Sequence, residues 1–532
     1  MKKWRPNGRR APRRSGPAVM DVMDNDAQSG ADQRRNRIIN RFRHPLAAIG
    51  GALALVSLAN ILFLFLIDVF SPRHSPYVGI LAYMILPGFF LLGLALVPAG
   101  MYLARRQRLR QQGVEGPVYP QIDLNEPAQR STVAFFFSFV IVFVMLSAVG
   151  SYRGYEFTDS VQFCGQLCHS VMNPEYTAYQ LSPHARVRCV DCHVGSGATW
   201  YVRSKLSGAR QVYATLFNRF PRPIPTPVEN LRPAQETCEQ CHWPRKFYGA
   251  QLKVITHYGY DEKNTPRQIR LLIKTGGGDP GIGMTTGIHW HMNIANEITY
   301  VTPDRTRETI PYVHVKDMQG GITDYMVKDT ALSKAQIDTL PRRRMDCVDC
   351  HNRPTHIYVP PDREVDQSLL ARRIDASLPF IKQQGVTVLT ASYTSSDQAM
   401  QGIATKLHDF YAAKYPQLES TKQLEIRDAI TELQRLYRTT TFPEMKIDWK
   451  THPDNIGHFY FSGCFRCHDG QHVSADGKVI RKDCTICHTI LSQEEGGTQP
   501  TAIEGTPFKH PVELGDISAV NCSDCHTGGV GP

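Results

Sequence analysis

Three stretches of the chain are apolar over the length needed to cross a bilayer: residues 46–67, 77–103 and 132–149. An α-helix rises about 1.5 Å per residue and the hydrocarbon layer is about 30 Å thick, so each run predicts a transmembrane helix. After residue 150 the pattern shortens. Residues 268–274, 297–302 and 310–315 alternate and are rich in Ile, Val, Thr and Tyr, with glycine turn signals at 276–278 and 320–321; this predicts a small strand-rich insert over residues 247–345. Between residues 366 and 437 the apolar spacing becomes helical, most clearly over 403–415 and 424–437, and Pro443 ends it.

Basic residues orient the membrane segments. The first 44 residues carry twelve Lys and Arg, and the loop after the second run carries Arg105, Arg106, Arg108 and Arg110, whereas residues 68–76 hold only Arg73. Positive charge marks the cytoplasmic side, so the chain is expected to be multi-pass in a bacterial inner membrane, with everything after about residue 150 facing the periplasm. The first apolar run begins at residue 46, which suits an anchor better than a cleaved signal peptide. The basic tail is read as a topology signal and solvated or lipid-facing arm.

The cysteines then change the picture. All 14 fall into seven Cys-Cys-His clusters with none left over. Six have two residues between the cysteines: Cys189, Cys192, His193; Cys238, Cys241, His242; Cys347, Cys350, His351; Cys464, Cys467, His468; Cys484, Cys487, His488; Cys522, Cys525, His526. The first cluster, Cys164, Cys168, His169, has three. In a c-type site both sulfurs become thioethers to the haem, and the adjacent histidine is thereby set beneath the iron. Structural zinc has no use for a histidine after every second cysteine, and a disulfide framework would not confine every cysteine to a close pair. Seven covalent haems are expected, all beyond the third apolar run.

Composition agrees. A hydrophobic fraction of 42% is modest for 532 residues that include membrane spans, so the soluble part needs apolar bulk from elsewhere; haem supplies it, and the apoprotein is expected to fold poorly. The formal charge of +11 is largely a property of the tail, and haem propionates offset it further, so nucleic acid is not an expected partner. The fold class expected is a multihaem cytochrome c with three N-terminal transmembrane helices and a loop-rich, mostly α periplasmic haem region with a small β insert. Its segments are 1–44 (basic cytoplasmic tail), 45–150 (membrane), 151–246 (three haems), 247–345 (strand-rich), 346–450 (one haem and helices) and 451–532 (three haems).

Electron-transfer haems need a sixth ligand, commonly a second histidine or a methionine. Thirteen histidines lie outside the motifs. Nearness to a motif favours His184, His289, His291, His356, His458, His472 and His510; His257, His314, His408 and His452 lie farther off. His74 sits in the outer connection between spans and His44 at the membrane interface. Quinol oxidation releases two electrons and two protons, so it needs a haem, a proton acceptor and a donor to the quinol oxygen. Glu156 and Asp159, between the third span and the first motif, are candidates for the acceptor.

The segment Cys164-Gly-Gln-Leu-Cys168-His169-Ser-Val-Met172, with Tyr176, Tyr179, His184 and then Cys189-Val-Asp191-Cys192-His193-Val-Gly, resembles the NapC/NirT/NrfH family of membrane-bound quinol dehydrogenases. The likeness is specific over residues 155–244 and fades beyond. It implies that menaquinol is oxidised near the first haem, that Met172 is an axial ligand there, and that Lys205 or Arg203 corresponds to the family's lysine near the quinol. This chain departs from the pattern in its longer first motif and in placing Met172 three residues, rather than two, after His169. The whole plan looks like the heptahaem inner-membrane cytochromes of metal-reducing bacteria. The expected function is therefore a quinol:cytochrome c-type oxidoreductase of anaerobic respiration. It would pass electrons from the membrane quinol pool to periplasmic c-type cytochromes or a terminal reductase, and onward toward extracellular metal reduction. The alternative is an electron-conduit haem subunit of a larger complex without its own quinone site; a terminal reductase would need a haem iron with an open position.

Overall fold

The structure is a computed structural model that describes residues 44–70, 81, 85–111, 123–167, 169–195, 198–228, 231–243, 247–277, 287–292, 296–317, 319–328, 330, 332–495, 502–517 and 520–531. The tail before residue 44, the connection containing His74, Gly278 of the first turn signal, and Cys168 lie outside them. The chain divides into two compact units, 1–158 and 159–532.

The first unit contains α1 (Pro45–Phe70), α2 (Leu86–Gln111) and α3 (Pro127–Thr158). Small residues let α1 and α2 approach closely. A Cβ on Gly100 would lie 2.4 Å from the backbone nitrogen of Ala47, and one on Gly93 would lie 2.6 Å from that of Ala54. This is how helices pack where lipid removes the hydrophobic drive for association and close backbone contact must replace it. Among the described residues, Pro45–Leu64 and Leu86–Gln111 are the two segments long and apolar enough to cross a membrane. The α-helix described in the second expected span is Leu86–Gln111, which runs eight residues past 103, while residues 77–80 and 82–84 lie outside the described residues. The Arg-rich extension consists of good helix formers. The third apolar run lies wholly within α3, whose Phe137, Ile141, Val142, Met145 and Val149 are all exposed.

The second unit begins at Asp159. It holds α4 (His169–Leu181) and α5 (Ala198–Leu216), then β1 (Gln251–Tyr258), β2 (Pro266–Ile273), β3 (Glu297–Val301), β4 (Tyr312–Lys316), β5 (Ile322–Val327) and β6 (Arg343–Arg344). Next come α6 (Pro361–Leu370), α7 (Ile381–Thr390), α8 (Ser396–Lys414), α9 (Gln423–Thr440), β7 (His472–Ser474) and β8 (His488–Glu495). The alternating stretches expected at 268–274, 297–302 and 310–315 overlap β2, β3 and β4. They do not form a closed insert. One sheet has the order β1-β2-β8 and the other β6-β3-β4-β5-β7, so each is completed by a strand from beyond residue 470. All pairings are antiparallel.

Helices α6 to α9 enclose an aliphatic core of Val365, Leu369, Ile381, Val386, Ile403, Leu407, Leu433 and Leu436, each buried. Polar groups inside it are paired. Lys382 donates to Asp366 at 2.6 Å, and Asp366 also accepts from the Tyr258 backbone at 3.0 Å, which ties β1 to the helices. Unpaired, either charge would be costly to bury.

Candidate functional site

The six fully described motifs are single tight turns, and in four of them an internal hydrogen bond places the histidine. The backbone nitrogens of His242, His351 and His526 each donate to the carbonyl of the first cysteine of their motif at 2.8 Å, and His468 does so at 3.0 Å. Three motifs carry Asp immediately before the second cysteine, and that Asp caps the turn. Asp191 accepts from the Arg188 backbone at 3.2 Å, Asp349 from Asp346 at 2.8 Å and Asp524 from Asn521 at 3.0 Å. Such a cap satisfies a backbone donor left open at a helix start. The extra residue of the first motif is accommodated by a π-type turn over Phe163–Leu167, the form an insertion imposes on a helix. Tyr176 covers it, its hydroxyl accepting from Gln166 at 2.9 Å and Gln180 at 2.8 Å.

Opposite six of the motif histidines stands a second histidine. Ring centres are 6.3 Å apart for His193 and His356, 6.0 Å for His242 and His184, and 6.4 Å for His351 and His289. For His468 and His291 the distance is 5.9 Å, for His488 and His458 6.2 Å, and for His526 and His510 6.1 Å. Two bonds of about 2 Å from iron to nitrogen, plus about 1.2 Å from each nitrogen to its ring centre, give about 6.3 Å for two imidazoles across one iron. The pairs fit haem iron.

Ring orientation fits as well. Nδ1 of His184 contacts the Pro354 carbonyl at 3.4 Å, that of His356 the Glu175 carbonyl at 3.0 Å, and that of His289 the Thr275 carbonyl at 2.6 Å. Nδ1 of His291 contacts the Ile288 carbonyl at 2.8 Å, and that of His510 the Val512 carbonyl at 2.9 Å. A proton held on Nδ1 by a carbonyl leaves the Nε2 lone pair available for a metal. Desolvation also lowers the pKa of His291, His458, His488 and His526, and pushes that of His356 down to about 4 with help from His193 and Arg353. Neutral imidazole is the ligating form.

His472 departs from its expected role as a ligand. It is fully buried on β7, with Nδ1 at 2.9 Å from Asp469 and Nε2 at 2.8 Å from the Ile310 carbonyl. Both nitrogens are engaged, so neither is open to iron. The more distant histidines are also occupied: His257 faces Asp366 at 3.0 Å, His314 faces Asp324 at 2.7 Å, His408 faces Glu419 at 2.6 Å, and His452 contacts Thr226 at 3.1 Å. The side chain of His169 lies outside the described residues, and Met172 is half-buried on α4.

The thirteen described cysteines are free thiols, and among the described residues no group of three or more His, Cys, Asp or Glu is arranged to hold a bare metal ion. The motifs lie next to one another in chain order. Cys164 hydrogen-bonds Cys189, which raises its own pKa and draws that of Cys189 down to about 7; the Cys347 bond to Cys238 likewise lowers Cys238 to about 6. Cys192 is an electrostatic neighbour of Cys238, Cys350 of Cys464, Cys487 of Cys464, and Cys522 of Cys484.

Of the residues expected around a quinol, Lys205 and Asp159 meet at 3.0 Å, with the Asp159 side chain only 10% exposed. Both act electrostatically on Cys164 of the first motif. Glu156 is instead paired with Arg153 at 3.2 Å on the last turns of α3, both exposed, and Arg203 lies over the Trp200 ring at 5.6 Å. Sequence reasoning missed the acceptor side of motif four. There Asp349 is buried and receives Tyr300 at 2.8 Å, Arg343 at 2.8 Å and Arg307 at 3.1 Å. The only signal in the sequence is the Asp before the second cysteine, which three motifs share.

Seven Cys-Cys-His motifs in the sequence, six of them with described free thiols and a second imidazole one iron's width away, define a multihaem cytochrome c. A model of the NapC/NirT cytochrome c family, N-terminal region, matches residues 126–223. The cytochrome c-type protein ImcH of Geobacter sulfurreducens is 46% identical over 497 residues, covering 92% of this chain and 97% of that protein. The cytochrome c nitrite reductase subunit NrfH of Nitratidesulfovibrio vulgaris is 32% identical over 90 residues, 17% of this chain and 55% of that one. No solved structure matches. The chain belongs to the NapC/NirT cytochrome c family as a homologue of ImcH, and is a membrane-anchored cytochrome that transfers electrons through covalently bound haem c.

Proposed function

We propose that this chain is a membrane quinol dehydrogenase carrying seven haems. Menaquinol is oxidised beside the first motif, and electrons pass along the motifs in chain order to a periplasmic cytochrome or reductase. In this reading His193, His242, His351, His468, His488 and His526 are proximal ligands, and His356, His184, His289, His291, His458 and His510 are their respective partners. Met172 serves the first haem. The three apolar helices cross the inner membrane with the haem-bearing segments in the periplasm.

The observation that carries the quinol reading is the Lys205 and Asp159 pair beside Cys164. Asp159 directly follows α3 in the chain, one bond beyond the segment read as the third membrane span, from which a lipid-borne quinol would come. The Lys205 ammonium would donate to a quinol oxygen, and Asp159 would take one of the two protons released, the second leaving to water, while bound haem would supply the acceptor for the two electrons, taken one at a time. Arg203 and Glu156, each held by its own partner, are the further charged groups expected near the quinol.

The test is to add a reduced menaquinone analogue to the purified holoprotein and follow haem absorbance. Prompt reduction is expected, and Lys205→Met should slow it at least tenfold while dithionite still reduces every haem. If the intact holoprotein stays oxidised under quinol, the chain is a conduit that takes electrons from another subunit.

A further inference from the structure

Helix α5 carries an apolar stripe that is exposed among the described residues. At about 100° per residue, Leu206, Ala209, Val212, Tyr213 and Leu216 fall on one side, and Arg203, Ser207, Arg210 and Gln211 on the other. Leu206 is 69% exposed, Leu216 72% and the following Phe217 61%. The polar side is exposed too. A 19-residue helix open on both sides is stable only where one side meets an apolar medium and the other meets water.

Two further observations say what that medium is. Arg203, Arg210, Arg219 and Arg222 are exposed along the helix and just past its end, the placement that reaches lipid phosphates. Arg219 lies over the Tyr213 ring at 5.9 Å and bonds its hydroxyl at 3.2 Å, so an aromatic body with a polar tip ends the stripe, as in the aromatic belts of membrane interfaces. The one charge within the apolar side, Lys205, is paired with Asp159, the first residue after α3. That bond neutralises the stripe.

We infer that α5 is an interfacial helix. It lies in the headgroup layer of the bilayer with Leu206, Tyr213, Leu216 and Phe217 in the acyl boundary and its arginines at phosphate level. A helix of this kind sinks about 5–10 Å into that boundary. The inference rests on membrane anchoring and not on quinol oxidation.

The experiment uses the unaltered holoprotein in vesicles of phosphatidylethanolamine and phosphatidylglycerol that carry a trace of phospholipid with a diazirine high in its acyl chain. After irradiation, lipid adducts are mapped by mass spectrometry, with α1 as the internal positive control. Adducts are expected at Leu206, Tyr213, Leu216 and Phe217, several-fold above Ser207 and Gln211. Adducts on α1 with none on α5, or equal labelling of both sides of α5, would overturn the inference; the first result is what a face covered by protein gives. Labelling does not depend on turnover, so it holds or fails separately from quinol oxidation.

Discussion

Among single residues, the histidines show how burial and partners divide one side-chain type between two roles. His291 offers a free Nε2 to a motif histidine, whereas His472 has both nitrogens facing oxygen acceptors. Replacing His291 by Ala should convert one haem from low to high spin in electron paramagnetic resonance. His472→Ala should leave every haem low-spin and instead cost about 1–3 kcal/mol of stability at β7, because it strands the Ile310 carbonyl and Asp469. Glu432 gives a pH dependence. Its burial favours the neutral acid, but hydrogen bonds from Arg435, Ser368 and Arg373 outweigh this and hold it at about 2, below its ordinary 4.5. A carboxylate held low when folded stabilises above its unfolded pKa and loses that contribution as pH falls through its folded one. Hydrogen-exchange protection of α9 should therefore fall from pH 4.5 toward 2. Glu432→Gln should start lower and stay flat across that window.

At the scale of elements, close approach decides both the membrane and the haem-bearing parts. Gly100 meets the Ala47 backbone, so Gly100→Leu should separate α1 from α2, read as faster hydrogen exchange along both helices without a change in the haem spectrum. The turn Ile288–Met292 carries two distal candidates, His289 and His291, for two different motifs. Gly277 makes this turn possible: its φ is +121°, and a Cβ there would lie 2.1 Å from the Trp290 nitrogen. The apolar rhythm announced α1 to α3, the helical stretch over residues 366–437 and the strand-rich region that holds β1 to β6, but not α4 or α5. It missed β7 and β8 because each is short or begins at a motif histidine, and strand pairing with β5 and β2 creates them. Tertiary pairing routinely overrides so weak a local preference.

Across the second unit the apolar core is uneven. The cluster among α6 to α9 is extensive, while the described residues of 451–532 contribute the buried Ile490, with Cys467 and Ile480 at the edge of a smaller cluster. Chain made without haem attachment should therefore resist limited proteolysis over residues 361–440 and be cut within 451–532; uniform resistance would mean that haem is not the missing core of that segment. The order of motifs in space also belongs to this scale. Neighbouring thiols from Cys164 to Cys522 follow the sequence, as a relay requires.

By itself the sequence determined the cytochrome c class, through its Cys-Cys-His motifs, and the apolar runs of its N-terminal region. These are local properties: two sulfurs and an imidazole must sit within one turn, and a span must be apolar along its length. Only the tertiary structure decided which histidine faces which motif. His356 lies five residues after His351 yet faces His193, and His458 lies just before motif five yet faces His488. The reason is steric. A motif fixes its own histidine on one side of a flat macrocycle, so the ligand for the other side must come from chain that returns from elsewhere.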